Sequence, residues 1–287
     1  MLAIIKKELS AYYKSMIGYI FMAFFLIIIG IYFFVYNLTY ATSNFEYTLQ
    51  ATSFVFVILI PLLTMRVLAE EKRQKTDQLL LTSPLSIEKI VIGKYFAALM
   101  VFLGTMLITF FYPLILTLFG EVDLRLAYNG ILGFILMGAA YLAIGVFLSA
   151  LTESQMVAAI IGFIVMLITY IMPGLASLLP QDHKSAVILF SLVIIVVCLI
   201  AYRMMKNPTV VVGIGIISEL ALIIIYLKKS SLLDGAVTKF LNLFSMVNHF
   251  DEFTKGILDL SAITYYLSII FLFLFLTIQV IKKRRWS

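Results

Sequence analysis

AEEKRQKTDQLLLTSPLS, residues 69–86, interrupts a chain that is otherwise mostly apolar. Six of its first nine residues are charged, three leucines follow, and apolar runs at 52–69 and 95–119 flank it. Each run is long enough, or nearly so, to cross about 30 Å of hydrocarbon as a helix. The stretch therefore reads as a solvated elbow where one membrane helix leaves the lipid and the next returns.

Working outward, further apolar windows lie at 16–37, 129–151, 156–179, 187–202, 209–227 and 264–281, which makes eight candidate spans. The whole chain of 287 residues is 63% hydrophobic and 13% charged, whereas a soluble domain is nearer half apolar and a quarter charged. The fold class expected is an all-α polytopic membrane protein, with residues 1–287 forming a single membrane domain. The window 187–202 is short, so it and 209–227 could instead form a re-entrant pair, and dropping both leaves the parity of the other spans unchanged. The net charge of +6 comes from basic residues that bracket apolar runs and form no long basic surface, so no nucleic-acid partner is expected. Lys6, Lys7 and Lys14 precede the first run as in a secretory signal, but a run of about 20 residues without an A-x-A-like end is expected to stay as an uncleaved span.

Orientation follows from the distribution of lysine and arginine. With the N-terminus inside, fifteen of the 21 fall in inner segments and six in outer ones, which favours both termini in the cytoplasm. Two non-spanning segments are amphipathic. Leu2, Ile5, Leu9 and Tyr12 fall on one stripe of LAIIKKELSAYYK, as in a helix lying in the inner interface. Phe240, Phe244, Val247 and Phe250 repeat at helical spacing on the outer side, before the last span.

Catalytic chemistry is scarce. A phosphate-binding loop needs G-x-x-x-x-G-K-[ST], and Gly93-Lys94 is followed by tyrosine and preceded five residues earlier by Glu88. His183 and His249 are far apart, and no hydrolase or metalloprotease motif appears. The chain is not expected to be an enzyme or to hold a metal or cofactor. Cys198, alone in an apolar run, reads as a small buried hydrophobe. Glu219 lies near the middle of its apolar run, where an acid costs about 2.5 kcal/mol or more. It reads either as a substrate-path or gating residue, or as a helix-packing acid bonded to a neighbouring hydroxyl.

Within the elbow, Glu70, Glu71, Lys72 and Arg73 mark a helix emerging into water. Thr76 is placed to cap a short following helix, with Asp77 favouring its positive end, and that helix carries Leu79, Leu80 and Leu81. Ser83-Pro84 ends it, and Pro84 is suited to begin the next helix. Leucines exposed there imply a docking partner or burial against the inner membrane surface.

RVLAEEKRQKTDQLLLTSPLSIEKIVIGKYFAAL resembles the segment of ABC type 2 permeases with the pattern R-x-x-A-E-E-[KR]-[KR]-x-G-T-x-E-x-L-L-x-[ST]-P-[VLI]-S followed by I-V-x-G-K. Arg66, Ala69, Glu70, Glu71, Lys72, Arg73, Thr76, Leu79, Leu80, Pro84, Ser86, Gly93 and Lys94 match. Lys75 stands where the family usually has glycine, and Gln78 where it often has glutamate. Residues 11–34, 138–163, 244–268 and 282–286 are similar to the gliding-motility type (GldF-like) subgroup, so the resemblance covers nearly the whole chain. Residues 187–227 fit least and read as a pair added to a six-span exporter core.

The resemblance implies the permease subunit of an ATP-binding cassette exporter in the bacterial cytoplasmic membrane. Residues 70–90 would contact a separate ATPase subunit, which binds ATP and Mg, through a coupling helix. A second permease copy or homologue would complete the path, in a homo- or heterodimer, and His249, Phe250 and Phe253 would belong to an outer element near the exit. Two other readings stay open: an ion-coupled secondary transporter using Glu219, and an ATPase-anchoring membrane subunit that moves nothing.

Overall fold

The computed structural model describes residues 1–76, 85–180, 182–205, 208–228 and 233–286. Among them the regular elements are all helices, with no strand. In chain order they are α1 (Leu2–Lys14), α2 (Met16–Tyr32, continuing as a π-helix over Phe33–Thr39), α3 (Phe45–Thr52), α4 (Val55–Thr64), α5 (Ala69–Arg73), α6 (Ile87–Thr109), α7 (Tyr112–Leu116), α8 (Leu124–Leu151) and α9 (Gln155–Leu178). They continue as α10 (His183–Met205), α11 (Pro208–Lys228), α12 (Ala236–Asn242), α13 (Met246–Thr254) and α14 (Leu260–Trp286). Contacts divide the chain into two compact units, Met1–Tyr170 with Met246–Ser287, and Ile171–Ser245.

In the larger unit α8 is the central helix, with 78% of its apolar window buried against 28% for α2 and 17% for α14. Lipid tails are as apolar as leucine, so membrane helices associate by close packing, which small residues permit. The glycines of α8 show this. A Cβ at Gly133 would lie 2.5 Å from Phe253 Cγ, and one at Gly138 2.5 Å from Phe102 Cζ. Around α8 the rings of Phe25, Phe56, Phe102 and Phe134 form a cluster, with Phe56 and Phe134 centroids 4.4 Å apart.

Five helices are long and apolar enough to cross a membrane: Met16–Thr39, Ile87–Leu116, Leu124–Leu151, Gln155–Leu178 and Leu260–Arg284. Phe45–Thr52 with Val55–Arg73, bent by 59°, makes a sixth if the pair is one span. Among the described residues this gives five or six spans, the polytopic all-α class expected from the sequence. Residues 183–205 and 208–228 are helical where expected, and among the described residues they carry the apolar helices His183–Val196 and Val212–Ile224. The bend before α4 follows from local hydroxyls. Thr52 Oγ1 donates to Thr48 O and Ser53 Oγ to Gln50 O, and such back-bonding competes with the helix ladder.

Both amphipathic segments are helical, with altered faces. On α1 the buried residues are Ile4, Ile5 and Tyr12, while Leu2 is 82% exposed. Ile4 packs over Gly93, where a Cβ would be 3.1 Å from its Cγ2, so α1 turns its face to α6. The stripe from Phe240 to Phe250 is split. α12 ends at Asn242, Ser245 bonds back to Asn242 O in a tight turn, and α13 begins at Met246. Phe240 packs on Phe190 in the smaller unit, whereas Phe250 is fully buried in the larger.

Candidate functional site

The elbow's first arm is held by three other helices. α5 begins with backbone N–H groups that have no partner inside the helix, and its own N-cap, Leu68, supplies no side-chain bond. Ser149 of α8 takes that place. Its hydroxyl accepts from the Leu68 and Ala69 N–H groups, both at 3.1 Å, and donates to Met65 O at 3.2 Å. The Lys72 ammonium donates to Ala150 O on the same helix. Glu70 holds Arg66 through a bidentate pair, at 2.6 and 3.0 Å.

Glu71 points to the opposite side, toward Lys94 of α6. Lys94 is 1% exposed, and its Nζ lies 2.8 Å from Glu71 Oε1, 3.0 Å from Glu8 Oε1 and 2.9 Å from Val67 O. An ammonium has three N–H donors, so these partners can occupy all of them. Lys7 sits at the rim, 3.6 Å from both carboxylates. Nearby, Tyr12 donates to Leu63 O at 3.1 Å. Burial, followed by the Glu8 charge, pushes its phenol above the ordinary range. One buried cation therefore ties α1, the elbow and α6 together.

α5 ends in a defined cap. The Thr76 N–H donates to Glu71 O and the Lys75 N–H to Lys72 O, with Lys75 at φ 57°. This pair of bonds around a left-handed residue is the Schellman ending, whose left-handed position usually holds glycine. The lysine that departs from the permease pattern thus occupies the residue whose backbone explains that pattern.

Of the elbow residues singled out in the sequence, Glu70, Glu71, Arg73 and Thr76 are described. The first two are anchored and Arg73 is exposed. Thr76 closes α5 through its N–H and its hydroxyl, both donating to Glu71 O, and the helix it was expected to open lies outside the described residues. Leu79, Leu80, Leu81 and Pro84 lie outside the described residues. Sequence reasoning missed Glu8 and Ser149 as partners. The sequence carried only a partial signal for Glu8, the one acid in α1, because a lysine near the start of a span can also reach the interface without a partner.

At the other named positions, Phe250 and Phe253 are fully buried packing side chains. Phe250 meets Phe134 at 5.8 Å, and Phe253 lies over Gly133 while its carbonyl accepts from Asn129 Nδ2 at 3.0 Å. His249 stacks on Tyr265 with centroids 3.7 Å apart. Between them in sequence, Asp251 accepts from Gln50 Nε2 at 2.8 Å, and burial raises its carboxyl above the usual range, against that hydrogen bond. In the smaller unit, Glu219 accepts from the Ser191 hydroxyl at 2.9 Å, the contact expected of a helix-packing acid.

No curated protein matches the chain. The model of a family described as ABC-2 family transporter protein matches residues 2–281. That match spans nearly every helix described above, and the chain belongs to the ABC-2 transporter family.

Proposed function

We propose that this chain is the permease subunit of an ATP-binding cassette exporter, in the gliding-motility type (GldF-like) subgroup. It forms half of a translocation path with a second permease copy or homologue. A separate ATPase subunit binds ATP and Mg and docks on residues 70–90. The chain itself is not catalytic, all of its residues 1–287 serve one permease domain, and it sits in the bacterial cytoplasmic membrane with both termini in the cytoplasm.

The observation that carries this reading is the anchoring of the elbow. A partner pushing on residues 77–84 moves α5, which is bonded to α1 and α6 through Lys94 and to α8 through Ser149 and Ala150. The orientation gains support from the two ends of the chain. Lys282 pairs with Glu88 and Arg284 with Glu153, each at 2.9 Å, so the basic C-terminal end lies beside the start of α6, at the end of the bundle that carries α1.

The test is co-purification with the ATPase subunit. Leu79→Asp combined with Leu80→Asp should abolish association while membrane insertion and thermal stability persist. Unchanged association in an inserted double variant would remove the docking role.

A further inference from the structure

Within the smaller unit α10 and α11 lie side by side, and they line a groove of about 580 Å³. Its walls include Ile195, Tyr202, Ile216, Leu220 and Ile223. The helices come close at Gly215, where a Cβ would sit 3.1 Å from Cys198 Sγ. Glu219 is the ionisable carboxylate in this lining, half-buried, with one oxygen taken by Ser191.

The chemistry is unbalanced. A carboxylate among aliphatic side chains is costly unless a cation or several donors meet it. Among the described residues a single hydroxyl meets it, and those along the groove include no lysine or arginine. The volume falls in the range of about 300–1,000 Å³ typical of small-molecule sites. An apolar body would fill the trough, and a positive head would complete the acid.

We propose that the α10–α11 groove is a binding site for a membrane-soluble amine, a protonated amino group on a single hydrocarbon body, with Glu219 as its counter-charge. Charge complementarity selects this occupant over a neutral acyl chain, which leaves the acid unpaired, and over an anionic amphiphile, which it repels.

The test uses the full chain in nanodiscs of neutral phosphatidylcholine, with empty nanodiscs as baseline. Binding of dodecylamine is compared with binding of dodecan-1-ol at pH 7. The unmodified protein should prefer the amine by about tenfold or more, the scale of one charge-assisted bond. Glu219→Gln, which keeps an acceptor for Ser191, should abolish that preference. Ile216→Trp, which keeps the acid but fills the trough, should weaken both ligands. Equal binding of amine and alcohol, a preference that survives Glu219→Gln, or amine binding unaffected by Ile216→Trp would each overturn the proposal.

Discussion

Lys75 follows α5 in the same place that Gly256 follows α13. After α13, Gly256 at φ 79° donates to Phe253 O while Ile257 donates to Glu252 O. After α5, Lys75 at φ 57° donates to Lys72 O while Thr76 donates to Glu71 O. The chain builds one cap twice, once with the residue the backbone favours and once with a lysine that meets its own Cβ there.

Lys75→Gly should therefore stabilise the protein. A left-handed residue with a side chain costs about 1–2 kcal/mol, and glycine returns part of that through its freer unfolded chain. The expected net gain is about 0.5–1 kcal/mol, read as a higher thermal unfolding midpoint in detergent. A lower midpoint would show that the Lys75 side chain contributes more than its backbone costs.

Lys94→Met should be the most damaging single change at the elbow. It removes the buried cation between Glu8 and Glu71 and leaves them only the exposed Lys7 at 3.6 Å from each, and breaking a buried pair costs about 3–5 kcal/mol. The carboxylates keep side-chain exposures of 15% and 14%, so the lower end is expected. Adding Glu71→Gln should recover part of the loss, because it removes one of the stranded charges. A double variant no more stable than the single one would show that packing, not charge, sets the cost.

Asp251 should make stability depend on pH. Its carboxyl is raised by burial, so the folded state holds its proton to higher pH than the unfolded chain does. The resulting stability is present below the unfolded value of about 3.9 and is lost as pH rises through the folded one. Asp251→Asn, which keeps an acceptor for Gln50, should flatten this fall. Unfolding midpoints of the two proteins, measured from pH 4 to 7, should converge at the acid end and separate in favour of the variant above it.

Gly133→Ala should loosen α13 from α8. Its methyl would meet the buried Phe253 ring at 2.5 Å, and such overpacking costs about 1–3 kcal/mol. Proteolysis between α13 and α14 should accelerate more than cleavage elsewhere. Uniform rates would indicate that the Phe253 ring moves aside.

Much of the architecture was legible because hydrophobic length and sign of charge are properties of the chain alone. Runs at 16–37, 129–151 and 156–179 correspond to the spans Met16–Thr39, Leu124–Leu151 and Gln155–Leu178. The window at 52–69 was legible as apolar but not as bent, since the break depends on hydroxyls of Thr52 and Ser53 turning back onto carbonyls. The phenylalanine stripe before the last span had the right period for one helix, yet periodicity carries no information about a turn at Ser245 that sends Phe240 and Phe250 to different cores.

Residue order thus fixed the helical class, most span positions and the charged elbow, because each follows from what nearby side chains cost in lipid or water. Tertiary structure alone joined Glu8, Glu71 and Lys94, and brought Ser149 to the start of α5. Those partners are separated by up to 86 residues, and only the packing of α1, α6 and α8 decides which charge meets which. It also gave the departure at Lys75 a cause, since a left-handed φ is a property of how the helix ends and not of the lysine that happens to stand there.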